Sequence, residues 1–120
     1  YAMCYWEEQS WLPSKSIHAA EFLHGTLEIV EETTPVTLFL GEDEQRVLSE
    51  RVAKLLPKIC SNYTLIDTKD YPVEGISEKY RGRVLSFLLM HAVTQRIDAH
   101  VEQMNCHPLE IRRYYRQFDY

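Results

Sequence analysis

The chain has 120 residues, of which 45% are hydrophobic and 26% charged; that supports one apolar core and excludes a disordered or fibrous chain. Thirteen Lys and Arg face eighteen Asp and Glu, a formal net charge of -5, which argues against nucleic acid as a partner. The longest apolar stretch, Val84 to Val93, is broken by Ser86 and His91 and is too short to span a bilayer.

The acidic excess lies in the first half: residues 1–60 carry five basic and ten acidic groups, and residues 61–120 carry eight of each. Three widely spaced cysteines, Cys4, Cys60 and Cys106, form no C-x-x-C pair. That pattern predicts reduced, buried thiols in a cytoplasmic protein and not a disulfide frame or zinc site. No charged-then-apolar leader opens the chain. A start at Tyr1, inside a predicted helix, reads as a piece of something longer.

In chain order, residues Tyr1 to Leu12 are predicted to be the end of a helix stopped by Pro13. Helical spacing aligns Tyr1, Cys4, Tyr5, Glu8 and Leu12 on one stripe, with Glu8 among apolar neighbours. After a polar turn and a short extended stretch at Ile17-His18-Ala19, a helix is predicted from Glu21 to Val30. Val36-Thr37-Leu38-Phe39-Leu40 reads as a buried parallel strand ending at Gly41. Asp43 to about Leu56 is the clearest amphipathic helix, with Val47, Leu48, Val52, Leu55 and Leu56 on one face. A second strand is expected at Tyr63–Ile66, which completes a βαβ unit and implies a parallel sheet covered by helices. The loop from Thr68 to Gly75 leaves room for another short strand. Ser77 is positioned to cap a long closing helix to about Asn105, and the tail runs from Cys106 to Tyr120. There is no repeat or linker, so a single domain is expected.

Few residue groups here can carry chemistry. There is no glycine-rich phosphate loop, and Leu40-Gly41-Glu42-Asp43-Glu44 puts three acids where a phosphate would need bare amides. Glu21-x-x-His24 is half of a bundle-type metal motif whose other half is missing, so no metal is expected. Arg112-Arg113-Tyr114-Tyr115-Arg116 is read as a charged tail folding back over its own domain. Two groups remain. An apolar setting favours the protonated form of a carboxyl, and a carboxylate tuned that way at Glu8 suits proton abstraction beside a carbonyl. His24 follows a turn and precedes Gly25, leaving its ring room for a ligand, with Glu21 one turn earlier to hold one tautomer.

The run Glu8-Gln9-Ser10-Trp11, followed by Ile17-His18-Ala19-Ala20-Glu21-Phe22-Leu23-His24-Gly25-Thr26-Leu27-Glu28-Ile29, resembles the sugar isomerase (SIS) family. It looks most like the second SIS half of the fructosamine-6-phosphate deglycases, and more distantly like the isomerase domain of glutamine–fructose-6-phosphate aminotransferases. The strand Pro35 to Leu40 and the tail Arg112-Arg113-Tyr114-Tyr115 with Asp119-Tyr120 match the deglycase pattern too, so the resemblance covers essentially the whole chain.

The resemblance implies a three-layer αβα, flavodoxin-type fold with a parallel sheet. Residues 1–120 would be the C-terminal portion of a second SIS domain lacking its first strand. In that family a helical glutamate sixteen residues before the H-G histidine is the catalytic acid/base and the histidine its partner; Glu8 and His24 keep this spacing, and Glu7 is a bystander. The implied reaction shuttles a proton between C1 and C2 of a fructosamine 6-phosphate, releasing glucose 6-phosphate and an amine, with no metal or organic cofactor. The lysine that aminotransferase-type isomerases carry in the tail has Arg116 as its counterpart here; this favours the deglycase branch and gives Arg116 a substrate-binding role. Family active sites draw on neighbouring chains, so a homo-oligomer with the site near a subunit interface is expected. The rival readings are an aminotransferase isomerase half and a non-catalytic sugar-phosphate-binding regulatory module.

Overall fold

In the computed structural model, which describes residues 1–119, the β-branched and aromatic run Val36–Leu40 forms β1 and Tyr63–Asp67 forms β2. The two strands pair in parallel, with Val36 opposite Tyr63 and Leu40 opposite Asp67. Helix α2, Arg46–Ile59, crosses between them, so the expected βαβ unit is present. The result is a mixed α/β chain with a two-stranded parallel sheet. Tyr120, part of the matched tail, lies outside the described residues.

Two compact units divide the chain: residues 1–16 with 92–120, and residues 17–91. The second unit holds the sheet. Its core is Phe22, Val52 and Leu56, flanked by Ile17, Val36, Leu38 and Tyr63. Val47 departs from the predicted apolar face and is 58% exposed. Five residues separate it from Val52, which turns it about 140° away around the helix. Helix α2 begins three residues later than Asp43 because the Asp43 carboxylate accepts the Gln45 N–H at 2.7 Å, closing a local turn first.

Three expected elements are shorter or different. His18 is extended as expected, but it also caps the four-residue helix α1, Ala19–Phe22, which takes Ala19 out of the extended stretch; the His18 Nδ1 accepts the Ala20 N–H at 3.4 Å. The helix predicted to reach Val30 stops there. Extended backbone at Gly25 separates α1 from a 3-10 turn over Thr26–Ile29. Residues after β2 make a second 3-10 turn, Thr68–Asp70, instead of a strand.

The closing helix is composite. A short α3, Glu78–Tyr80, runs into a π-helical segment, Arg81–Leu85, and then into α4, Ser86–Asn105. Ser77 sits at the N-cap position, yet its side chain makes no capping hydrogen bond. The widened turn lies where Gly82 meets the chain after β1: a Cβ there would be 2.5 Å from the Glu42 carbonyl oxygen. Arg81 reaches across to the Glu42 carboxylate at 2.7 and 2.8 Å and to the Thr68 carbonyl at 3.1 Å. Of the cysteines, only Cys60 is buried, its thiol donating to the Thr34 carbonyl; Cys4 and Cys106 are exposed, against expectation, and all three are free.

Candidate active site

In the first unit, residues Ala2–Gln9 form a π-helix and not the end of an α-helix. The Ser10 N–H donates to the Tyr5 carbonyl five residues back, so the three-and-four spacing behind the predicted apolar stripe does not apply. The consequence for Glu8 is direct. It is exposed, as are Cys4 and Leu12, so the predicted stripe does not bury it. Its Oε1 instead accepts a hydrogen bond from Arg112 Nε at 2.9 Å. Arg112 is itself fixed, donating to the carbonyls of Leu109 and Ile111.

Glu8 and Arg112 share a cavity of about 370 Å3 with Trp11, Leu12, Tyr114 and Tyr115. The Arg113 guanidinium lies over the Trp11 ring, 4.2 Å from its centroid, and Trp11 in turn meets the His107 ring at 4.1 Å between centroids, tilted by 46°. Trp11 can hold this place because it adopts a left-handed backbone, φ 55°, just beyond the helix. The tail thus folds back over its own unit, as read from the sequence. Glu7 is turned aside: its Oε1 accepts from the Ser14 N–H and hydroxyl at 3.3 and 2.9 Å. Arg116 does not line this cavity; it is exposed and lies 5.2 Å over Tyr115.

The same unit carries a buried acid that sequence reading passed over. Asp98 is 2% exposed, and its Oδ1 accepts the Tyr1 hydroxyl at 2.5 Å, while Tyr1 accepts from Trp6 Nε1 at 3.2 Å. Burial pushes the Asp98 carboxyl up from the ordinary carboxylate range, opposed in part by the Tyr1 donor. The native state therefore holds this proton more tightly than the unfolded chain. Stability linked to Asp98 is full below the ordinary carboxylate pKa and is lost as pH rises through the raised native value. Asp98→Asn cannot ionise, so its melting temperature relative to the parent should climb between about pH 4 and pH 7. Thermal melts at both pH values check this, and an unchanged offset would contradict it.

The second unit contains His24, which is exposed in the turn between α1 and the following 3-10 residues. A Cβ at the neighbouring Gly25 would meet nothing within 4 Å. Glu21 touches His24 through the backbone, its carbonyl accepting the His24 N–H at 3.0 Å. Among the described residues its carboxylate makes no bond to the imidazole, so the proposed tautomer lock is not formed. Glu8 belongs to the first unit and His24 to the second.

The carboxyl ends of β1 and β2, where open α/β sheets place ligands, are occupied here by ion pairs. Arg46 clamps Asp67 with two bonds of 2.9 and 2.5 Å and also reaches Glu50 and the Gly41 carbonyl. Arg46 holds the Asp67 carboxyl below its usual range, and Arg81 does the same for Glu42. Neither pairing was visible in the sequence, since the partners are 21 and 39 residues apart. Among the described residues no three His, Cys, Asp or Glu gather as a metal-ligand set, and no helix is long and apolar enough to cross a membrane.

No protein-family profile matches the chain. The chain is homologous to fructosamine deglycase FrlB of Bacillus subtilis, with 33% identity over all 120 residues, which cover 36% of that protein. It is also homologous to the fructoselysine 6-phosphate deglycase of Escherichia coli K12, with 38% identity over 60 residues, half of this chain and 18% of that protein. The structure matches a protein described as a phosphosugar isomerase from Bacillus subtilis with a TM-score of 0.94 and 32% identity, covering 100% of this chain and 36% of the other. A Salmonella typhimurium structure of the same description matches with a TM-score of 0.81 and 28% identity, covering 99% of this chain and 35% of the other. The chain therefore spans about a third of the relatives that it matches along its whole length.

Proposed function

We propose, from a chain homologous to the fructosamine deglycases, that the protein carrying it splits a fructosamine 6-phosphate into glucose 6-phosphate and an amine. The observation that carries this is the likeness to fructosamine deglycase FrlB over all 120 residues. The chain would be the C-terminal portion of a second SIS domain, one part of a three-layer αβα arrangement.

In the proposed reaction His24 assists opening of the sugar ring, which frees the C2 carbonyl. Glu8 takes a proton from C1, and the C1–H electron pair becomes a C1=C2 double bond as the C2 oxygen gains a proton, giving an enaminol. Returning the proton to C2 moves the unsaturation to C1 and nitrogen, giving an imine. Water adds at C1, the C–N bond breaks, and the amine departs with a proton, leaving the C1 aldehyde of glucose 6-phosphate. The substrate's carbonyl and imine accept the electrons at each step, so the chemistry asks for an acid/base and little else.

The geometry around Glu8 supplies an oriented partner that the sequence did not suggest. In this reading Arg112 holds the Glu8 carboxylate in one orientation at the edge of the cavity. Arg112 is thus a positioning residue for Glu8. The direct test incubates the protein with synthetic fructosamine 6-phosphates and follows glucose 6-phosphate with a coupled dehydrogenase. Release of glucose 6-phosphate and amine in equal amounts is expected; no release from any such substrate would refute the proposal.

A further inference from the structure

We infer that Arg113, held over Trp11 beside Glu8, is the subsite for a carboxylate on the amine that the substrate carries. This deepens the deglycase reading and rests on it. The amine is bonded to C1, the carbon from which Glu8 takes its proton, so the group attached to nitrogen lies within a few bond lengths of the Glu8 carboxylate. The space next to Glu8 is the cavity of about 370 Å3.

The walls of that cavity suit the amine better than the sugar. A polyol or phosphate needs a dense set of donors and acceptors, whereas Trp11, Leu12, Pro13, Tyr114 and Tyr115 present rings and aliphatic surface. The charges narrow the choice further. Arg112 is engaged by Glu8, and Glu7 is turned to Ser14. Arg113 is the cation left over: its guanidinium is 4.2 Å from the Trp11 ring centroid and, among the described residues, has no carboxylate partner. A guanidinium carries a fixed fork of N–H donors that matches a carboxylate with two parallel hydrogen bonds, and Trp11 holds that of Arg113 at the cavity. This contact also removes much of the rotamer freedom that binding would otherwise cost. An amino acid attached to the sugar through nitrogen meets both requirements, with its carboxylate on Arg113 and its side chain on the aromatic walls.

The experiment compares the fructosamine 6-phosphates of phenylalanine and of 2-phenylethylamine, which share a ring and differ in the carboxylate. A hydrogen-bonded ion pair gives the parent protein a roughly tenfold to hundredfold higher kcat/KM for the phenylalanine compound. Arg113→Gln brings that ratio close to one, and Arg113→Lys restores part of it by returning the charge without the fork. No preference in the parent, or a ratio that survives Arg113→Gln, overturns the assignment and leaves the deglycase reading standing. No glucose 6-phosphate from either compound with the parent protein overturns the deglycase reading and this inference together.

Discussion

Glu8→Gln in the protein that carries this chain should lower kcat for a fructosamine 6-phosphate by roughly a hundredfold to ten-thousandfold, the range for removing one acid/base group. Glutamine has the same shape, and its carbonyl oxygen still accepts the hydrogen bond that Arg112 Nε gives to Glu8 at 2.9 Å. The variant therefore removes the proposed proton acceptor while leaving its anchor in place. Glu8 is exposed and its pairing with Arg112 lies partly in solvent, where such pairs are worth about 0–1 kcal/mol. The melting temperature should accordingly move little. Near-normal glucose 6-phosphate release by a folded Glu8→Gln protein would remove Glu8 from the mechanism, whatever became of the family likeness.

Leu56→Ala should have the largest effect on stability in the second unit. Leu56 is fully enclosed at 0% exposed and packs with Phe22 and Val52 at the centre of the core. Truncation removes buried methyl groups and leaves a hole that neighbouring elements close only in part, at a cost of about 2–5 kcal/mol. The cluster around it is small, with Phe22 and Val52 as its other buried members and partly buried residues packed against them, so little else compensates. Urea titration followed by fluorescence measures the loss, and a change under about 1 kcal/mol would show that Leu56 sits in a site that collapses freely. Because β1 and β2 are positioned by this helix, the change also tests whether the ion pairs at the strand ends survive on their own.

The βαβ unit was legible because its signals are local. Val36–Leu40 and Tyr63–Asp67 are short β-branched and aromatic runs, and Val52 and Leu56 recur at helical spacing between them. The opening helix misled for a reason that is also physical. A sequence stripe assumes one helical pitch, and the π-helix over Ala2–Gln9 has another. Glu8 consequently is exposed and pairs with Arg112, 104 positions away, instead of being buried on an apolar stripe. The short helices around His24 were missed because the periodicity runs on through Gly25, where the backbone turns extended.

The amino-acid sequence alone determined the likeness to the sugar isomerase family, the parallel strand–helix–strand core and the identity of Glu8 and His24 as the residues to test. Each of those depends on neighbours in the chain or on a spacing that can be counted. Only the tertiary structure decided that Arg112 is the partner of Glu8 across 104 positions, that Arg113 lies over Trp11, and that Arg46 and Arg81 fill the carboxyl ends of the strands. Long charged side chains choose partners by through-space Coulomb attraction and hydrogen-bond geometry, and neither is encoded in a local pattern.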